Sequence, residues 1–206
     1  MVQIKQFLVG EMANFTYLVI DIKNKNSIIV DPSWNLEIIF DYLDKHQLKN
    51  QFVINTHSHY DHVIGNDKVA ETTGAKIIQH KNSPLKKDIE IDDGQVLGFG
   101  ESSIKIIHTP GHSKDSICLV IDNNSILTGD TLFVGSCGRL DLPGGDPKEM
   151  YESIYNKMIN MDDNLIMYPG HHYGNAQTST IGREKRSNFV FKFKSLQDFL
   201  KYMGTY

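Results

Sequence analysis

The chain has 206 residues, 40% hydrophobic and 22% charged, enough to bury a core within one domain spanning 1–206. A formal net charge of -4 and a pI near 6.1 exclude a global field for polyanions, and the run Arg183 to Arg186, with a glutamate inside it, reads as a solvated helix face and not a nucleic-acid patch. There is no apolar run of about 18 residues and no leader-like N-terminus, and Cys118 and Cys137 form no disulfide framework. A cytoplasmic protein without membrane or nucleic-acid partners is expected.

In chain order, residues 3–10, 14–21 and 26–31 read as short strands, the last ending at Asp31 before a Pro-Ser turn. Residues 35–47 place Leu36, Ile39, Phe40 and Leu43 on one stripe, the period of an amphipathic helix. A buried strand over 51–55 delivers the chain into a histidine-rich stretch. A helix from about Gly65 to Thr73 and a strand over 75–79 follow. Residues 103–112 form a strand ending in a turn, and 116–122 and 124–130 a hairpin. Residues 146–158 read as a helix after a Gly-Gly break, and 164–174 as a strand ending in a second histidine turn. Residues 195–203 close the chain as a helix, with Ser195 and Asp198 spaced like a capping box. Alternating strands and helices with no linker predict α/β layers in a single domain.

Four strand ends carry side chains that suit metal ions. They are the cluster His57, His59, Asp61 and His62, then His112, then Asp130, then His171. Where residues 57–62 leave the strand in a turn, His57 and His59 can face one point while Asp61 and His62 face a neighbouring one. Imidazoles suit zinc and iron, and carboxylates add harder oxygen ligands. Five histidines and two aspartates suffice for two adjacent cations sharing Asp130, and paired cations about 3.5–4 Å apart are a recurring hydrolytic arrangement. A structural zinc site holds one ion with four ligands, often cysteines; seven candidates and no cysteine pair argue for an open site. His46, His80 and His108 are expected to be satisfied or solvated, and His172 has no assigned role. Cys118, in an apolar strand, is expected in the core. The alternation Phe189, Phe191, Phe193 fits the core or a homodimer contact, with the core expected.

His57-Ser-His59-Tyr-Asp61-His62, with His112, Asp130 and His171 in that order, resembles the metallo-β-lactamase superfamily over nearly the whole chain. The resemblance implies a four-layer αββα sandwich with its metal site at one edge. It also implies a ligand division: His57, His59 and His112 for one ion, Asp61, His62 and His171 for the other, and Asp130 bridging. The ions would be two divalent metals, zinc and/or iron with manganese compatible. Asp31 matches the family's aspartate at the end of an early strand and would orient ligands.

Residues 129–146, "PGHHYG" and "TSTIGREKRSN" resemble the glyoxalase II-like branch, with its hydroxyacylglutathione hydrolases and persulfide dioxygenases. That likeness implies that the Gly135 to Arg139 loop, including Cys137, and Tyr173 lie near a small-molecule thiol conjugate such as glutathione. Arg139 would anchor a carboxylate, unless it pairs with Asp141. The longer glyoxalase II enzymes carry a C-terminal helical region that grips glutathione, and Arg139-Leu-Asp141 resembles the shorter members and the dioxygenases instead. Two chemistries follow. The first is thioester hydrolysis by a hydroxide between two cations, with Asp61 and Asp130 at the reacting centre. The alternative is persulfide oxidation at one ferrous ion held by His57, His112 and Asp130.

Overall fold

The computed structural model describes residues 2–203. Its two six-stranded sheets stack with helices outside both. The first sheet runs in the order β1 (Val2–Val9), β2 (Asn14–Asp21), β3 (Asn26–Val30), β4 (Lys49–Ile54), β5 (Lys76–His80), β6 (Ile89–Ile91). Its first three strands are antiparallel and β3 to β6 are parallel. The second contains β7 (Val96–Phe99), β8 (Ser102–His108), β9 (Ile117–Ile121), β10 (Ser125–Gly129), β11 (Ile166–Pro169) and β12 (Ser179–Thr180) in sequential order. This is the four-layer αββα sandwich that the sequence resemblance implies.

The layers follow from strands that are apolar on both faces. In β2, Val19 points between the sheets, beside Ile28, Ile54, Ile106 and Leu119, while Leu18 and Ile20 point outward. The outward residues are covered by Leu36, Ile39 and Leu43 of α1 (Leu36–His46) and Val69 of α3 (Asn66–Thr73). The second sheet buries Cys118, Val120 and Ile126 under α4 (Pro147–Glu152), α5 (Ile181–Ser187) and α6 (Leu196–Tyr202). Each fully buried Ile or Leu contributes about 1.5–3 kcal/mol. Phe191 is in this second core, with Phe189 and Phe193 packed against it, so the aromatic alternation serves the core.

Turn and cap chemistry agree with the pattern. Asp122 and Asn123, both at positive φ, close the β9–β10 hairpin, as residues that tolerate that region do in tight hairpins. Ser195 caps α6 by accepting from the Asp198 amide at 3.1 Å. The helix expected over 146–158 departs from regularity. It is α-helical only to Glu152, widens into a π turn over Ser153–Lys157 and tightens over Met158–Asn160. Met150, Ile154 and Met158 recur every four residues and are all fully buried. A wider turn keeps that four-residue spacing on one face, where a 3.6-residue helix drifts. β6, β7 and the short α2 (Tyr60–Val63) were outside the predicted elements.

The sandwich leaves the ends of β4, β8, β10 and β11 at one edge. Backbone bonds tie the sheets there: Ile117 N donates to Thr56 O at 2.8 Å, and Phe15 N to Gly170 O at 2.8 Å. Among the described residues no helix is long and apolar enough to cross a membrane.

Candidate metal centre

The edge brings all seven predicted side chains together. His57 follows β4, and His59, Asp61 and His62 lie before and within α2. His112 sits in the turn between β8 and β9, Asp130 directly follows β10, and His171 follows β11. Three ligand sets have their donor atoms within 4.8 Å of one another: His57–His59–His112, His57–His62–Asp130, and Asp61–His62–His171. Asp130 touches both sides, with Oδ2 3.4 Å from His112 Nε2 and 3.3 Å from His171 Nε2. Gly170 lies so close under Asp130 that a Cβ there would collide with the carboxylate.

Four of the five rings are aimed by a second contact. His62 Nδ1 is 3.0 Å from Asp31 Oδ2, His112 Nδ1 2.7 Å from Arg139 O, His171 Nδ1 2.9 Å from Met12 O, and His57 Nδ1 3.1 Å from Thr56 Oγ1. The Nδ1–H of these rings donates outward, so Nε2 of each points at the centre. His59 turns the other way, with Nδ1 2.8 Å from His112 Nε2. Asp31 is held in turn by the Thr56 amide at 2.7 Å and hydroxyl at 2.6 Å.

The electrostatics fit a cation. Burial, then the neighbouring His62, pushes His57 well below its ordinary range; burial also lowers His59. Both are therefore neutral and ready to ligate at pH 7. Burial opposes charge on Asp130 and Asp61, but the facing histidines outweigh it and hold both carboxyls far below the usual range. His62 is driven well up by Asp130, Asp31 and Asp61 against its own burial, and His171 rises to about 9 for similar reasons. These rings hold protons where a metal would otherwise sit. With Nδ1 of His62 and His171 committed outward, their Nε2 atoms face each other at 3.1 Å, an arrangement that needs positive charge between them. His57 Nε2 and Asp130 Oδ1 are buried with no hydrogen-bond partner. Orphaned donors of this type, converging from four segments, are what a divalent metal takes.

A cavity of about 340 Å³ opens over the centre, lined by Met12, Phe133, Cys137, Arg139, Leu142 and Tyr173 among others. Tyr173 stacks on the His171 ring at 4.5 Å and meets Phe133 edge-on at 5.3 Å. Burial pushes the Cys137 thiol up to about 12, so it is a neutral wall group at pH 7. Arg139 lines the mouth, but its guanidinium forms a bidentate pair with Asp141 at 2.7 and 2.6 Å, both side chains exposed. The ion-pair alternative is the one realised.

The remaining histidines stay outside the centre. His46 stacks on Tyr42 at 4.2 Å, His80 on His108 at 4.0 Å, and His172 packs against Phe15 at 5.6 Å. Three supporting residues had no signal in the sequence. Asn14 and Ser33 bond to Asp61, and Glu184 anchors the loop over the cavity. Glu184 corrects the reading of Arg183–Arg186 as wholly solvated, because it is 1% exposed. It accepts from Gly135 N at 2.8 Å, Ser179 Oγ at 2.5 Å and Asn188 Nδ2 at 3.0 Å. Arg183 and Arg186 are the exposed residues of that run, and Lys185 is half-buried against Met161 and Asp163.

Known proteins match this chain along most of its length. The metallo-beta-lactamase superfamily profile matches residues 9–84 and 79–171. PksB of Bacillus subtilis, a probable polyketide biosynthesis zinc-dependent hydrolase, is 30% identical over 195 residues, covering 92% of this chain and 86% of PksB. The human mitochondrial persulfide dioxygenase ETHE1 is 28% identical over 204 residues, covering 98% of this chain and 80% of its own. The crystal structure of ETHE1 from Myxococcus xanthus aligns with a TM-score of 0.92 at 27% identity, covering 98% of this chain and 90% of that one. The chain belongs to the metallo-β-lactamase superfamily.

Proposed function

We propose that the protein is a binuclear metallohydrolase that cleaves thioesters of a small, glutathione-like thiol conjugate into a carboxylate and a free thiol. The observation that carries this reading is the position of Asp130, within 3.4 Å of His112 and 3.3 Å of His171, between two otherwise complete ligand groups. His57, His59 and His112 would hold one zinc, iron or manganese ion and Asp61, His62 and His171 the other, with Asp130 between them. Two such ions, when bound, supply Lewis acidity and bring the pKa of water down toward about 7.

The chain's own residues do the rest. Asp61 and Asp130, held ionised, are the anions at the reacting centre, and the outward contacts of His57, His62, His112 and His171 keep their Nε2 atoms aimed inward. Met12, Phe133, Leu142 and Tyr173 give the cavity an apolar wall that excludes water from the acyl group and the thiol. Arg139 is at the mouth, where a substrate carboxylate can displace Asp141 from a solvent-exposed, water-screened pair.

A second reading has its own support. The likeness to persulfide dioxygenases extends over 98% of the chain, and His57, His112 and Asp130 form the two-histidine, one-carboxylate set that suits a single ferrous ion. Metal analysis beside two assays separates the readings. Two ions and hydrolysis of S-D-lactoylglutathione without oxygen consumption support the hydrolase. One iron, with oxygen uptake on glutathione persulfide, selects the dioxygenase.

A further inference from the structure

Two of the three ligands in the Asp61–His62–His171 group take their orientation from the β1–β2 turn and the first residue of β2. Asn14, 1% exposed, donates from Nδ2 to Asp61 Oδ2 at 2.8 Å and to the Asp61 carbonyl at 3.1 Å. Two residues earlier, the Met12 carbonyl accepts from His171 Nδ1 at 2.9 Å. The Asn14 amide can face only this way, because its opposite orientation would set Oδ1 against two acceptors. The contacted oxygen is also the one that faces the other ligands, 3.3 Å from Nε2 of both His62 and His171. Asn14 thus holds the oxygen that would ligate.

The turn is built to stay in place. Gly10, at φ 65°, packs against the Trp34 ring where a Cβ would collide, and its amide donates to Asn35 Oδ1 at 3.0 Å. The Ala13 carbonyl accepts from His172 N at 2.8 Å, which ties the turn to the His171 loop on the other sheet. The His57–His59–His112 group is supported from elsewhere, by Thr56 Oγ1 on His57 and Arg139 O on His112.

We infer that Asn14, with the Met12 carbonyl beside it, is a positioning element that lets the Asp61–His62–His171 group retain a second divalent cation, and so decides whether the centre works with two ions or one. This rests on the binuclear reading proposed above. An amide suits the role because it donates to one lone pair of Asp61 Oδ2, leaves the others free for a cation, and adds no charge to a centre already holding two carboxylates. Loss of the donor frees the carboxylate to rotate away from His62 and His171, and removal of such a supporting contact lowers metal affinity by about 10–100-fold.

Zinc titration of the metal-free full chain tests this, read by calorimetry and by elemental analysis after desalting, for wild type, Asn14→Leu and Asn14→Ala. Leucine matches asparagine in size but cannot donate, so it separates the hydrogen bond from the packing. The expected result is two equivalents in wild type, and in both variants an unchanged first affinity with the second weaker by about 10–100-fold. Retention of the first ion also reports that the variants are folded. Equal second-ion affinity in wild type and Asn14→Leu overturns the inference and leaves the binuclear reading standing. A wild-type protein that binds no second ion overturns the binuclear reading itself.

Discussion

Nδ1 of His62 lies 3.0 Å from Oδ2 of Asp31, and both side chains are almost wholly buried. Asp31 adopts φ 51°, a region that asparagine tolerates, so Asp31→Asn removes the charge behind His62 and preserves the backbone. The ring then loses the anion that makes Nε2 a stronger donor. Zinc affinity should fall about 10–100-fold, read by competition with a chelator. An unchanged affinity would show that Asp31 serves the fold alone.

His171 carries its proton to about pH 9 in the metal-free protein, against an ordinary histidine value of about 6.5. A folded-state pKa above the unfolded one gives stability that is complete below about 6.5 and is lost as pH rises through 9. The chelated protein should therefore show a falling thermal midpoint between pH 6.5 and 9. Zinc displaces the same protons, so its affinity should rise across that window with proton release. A metal-free midpoint that climbs through the window contradicts this assignment.

Asp130→Ala removes the carboxylate placed between the two groups. Both ions should be weakened together. Turnover should fall about a thousandfold, because metal catalysis supplies several kcal/mol and about 4 kcal/mol is a factor of a thousand. Steady-state kinetics with metal analysis on the same sample checks it. Retained turnover with two bound ions would defeat the bridging role.

Glu184 is on the far side of the cavity loop from the ligands, yet it satisfies Gly135 N, Ser179 Oγ and Asn188 Nδ2. Asn188 in turn donates to the carbonyls of Phe133 at 3.1 Å and Ser136 at 3.0 Å. Glu184→Ala strands the buried Ser179 hydroxyl and Asn188 amide, at about 1–3 kcal/mol, which lowers the thermal midpoint by roughly 2–12 °C in a chain of this size. Because the loop walls the cavity, KM should rise more than kcat falls, while metal content holds at the wild-type level. A change in metal content without a change in KM would place Glu184 in the centre and not behind the loop.

The ligands were legible because their chemistry is costly anywhere else: three histidines and an aspartate within six residues need a positive partner, and each further ligand follows an apolar strand. Asp31 was legible through family resemblance. Asn14 was not, because a single asparagine at the start of a strand carries no pattern; its role exists only once β2 lies beside α2. Glu184 was misread because a glutamate among cations has the composition of a solvated face, and only the tertiary approach of Gly135 and Ser179 buries it. The π turn after Glu152 was hidden for a related reason: a four-residue apolar spacing fits a helix approximately, and close packing against the second sheet selects the wider turn.

The pairing of cations across Asp130 is tested most directly by anomalous diffraction at the zinc edge from crystals of the zinc-loaded protein. Two peaks about 3.5–4 Å apart, one bounded by His57, His59 and His112 and the other by Asp61, His62 and His171, are the expected result. A single peak away from Asp130, or no peak among these seven side chains, would contradict it.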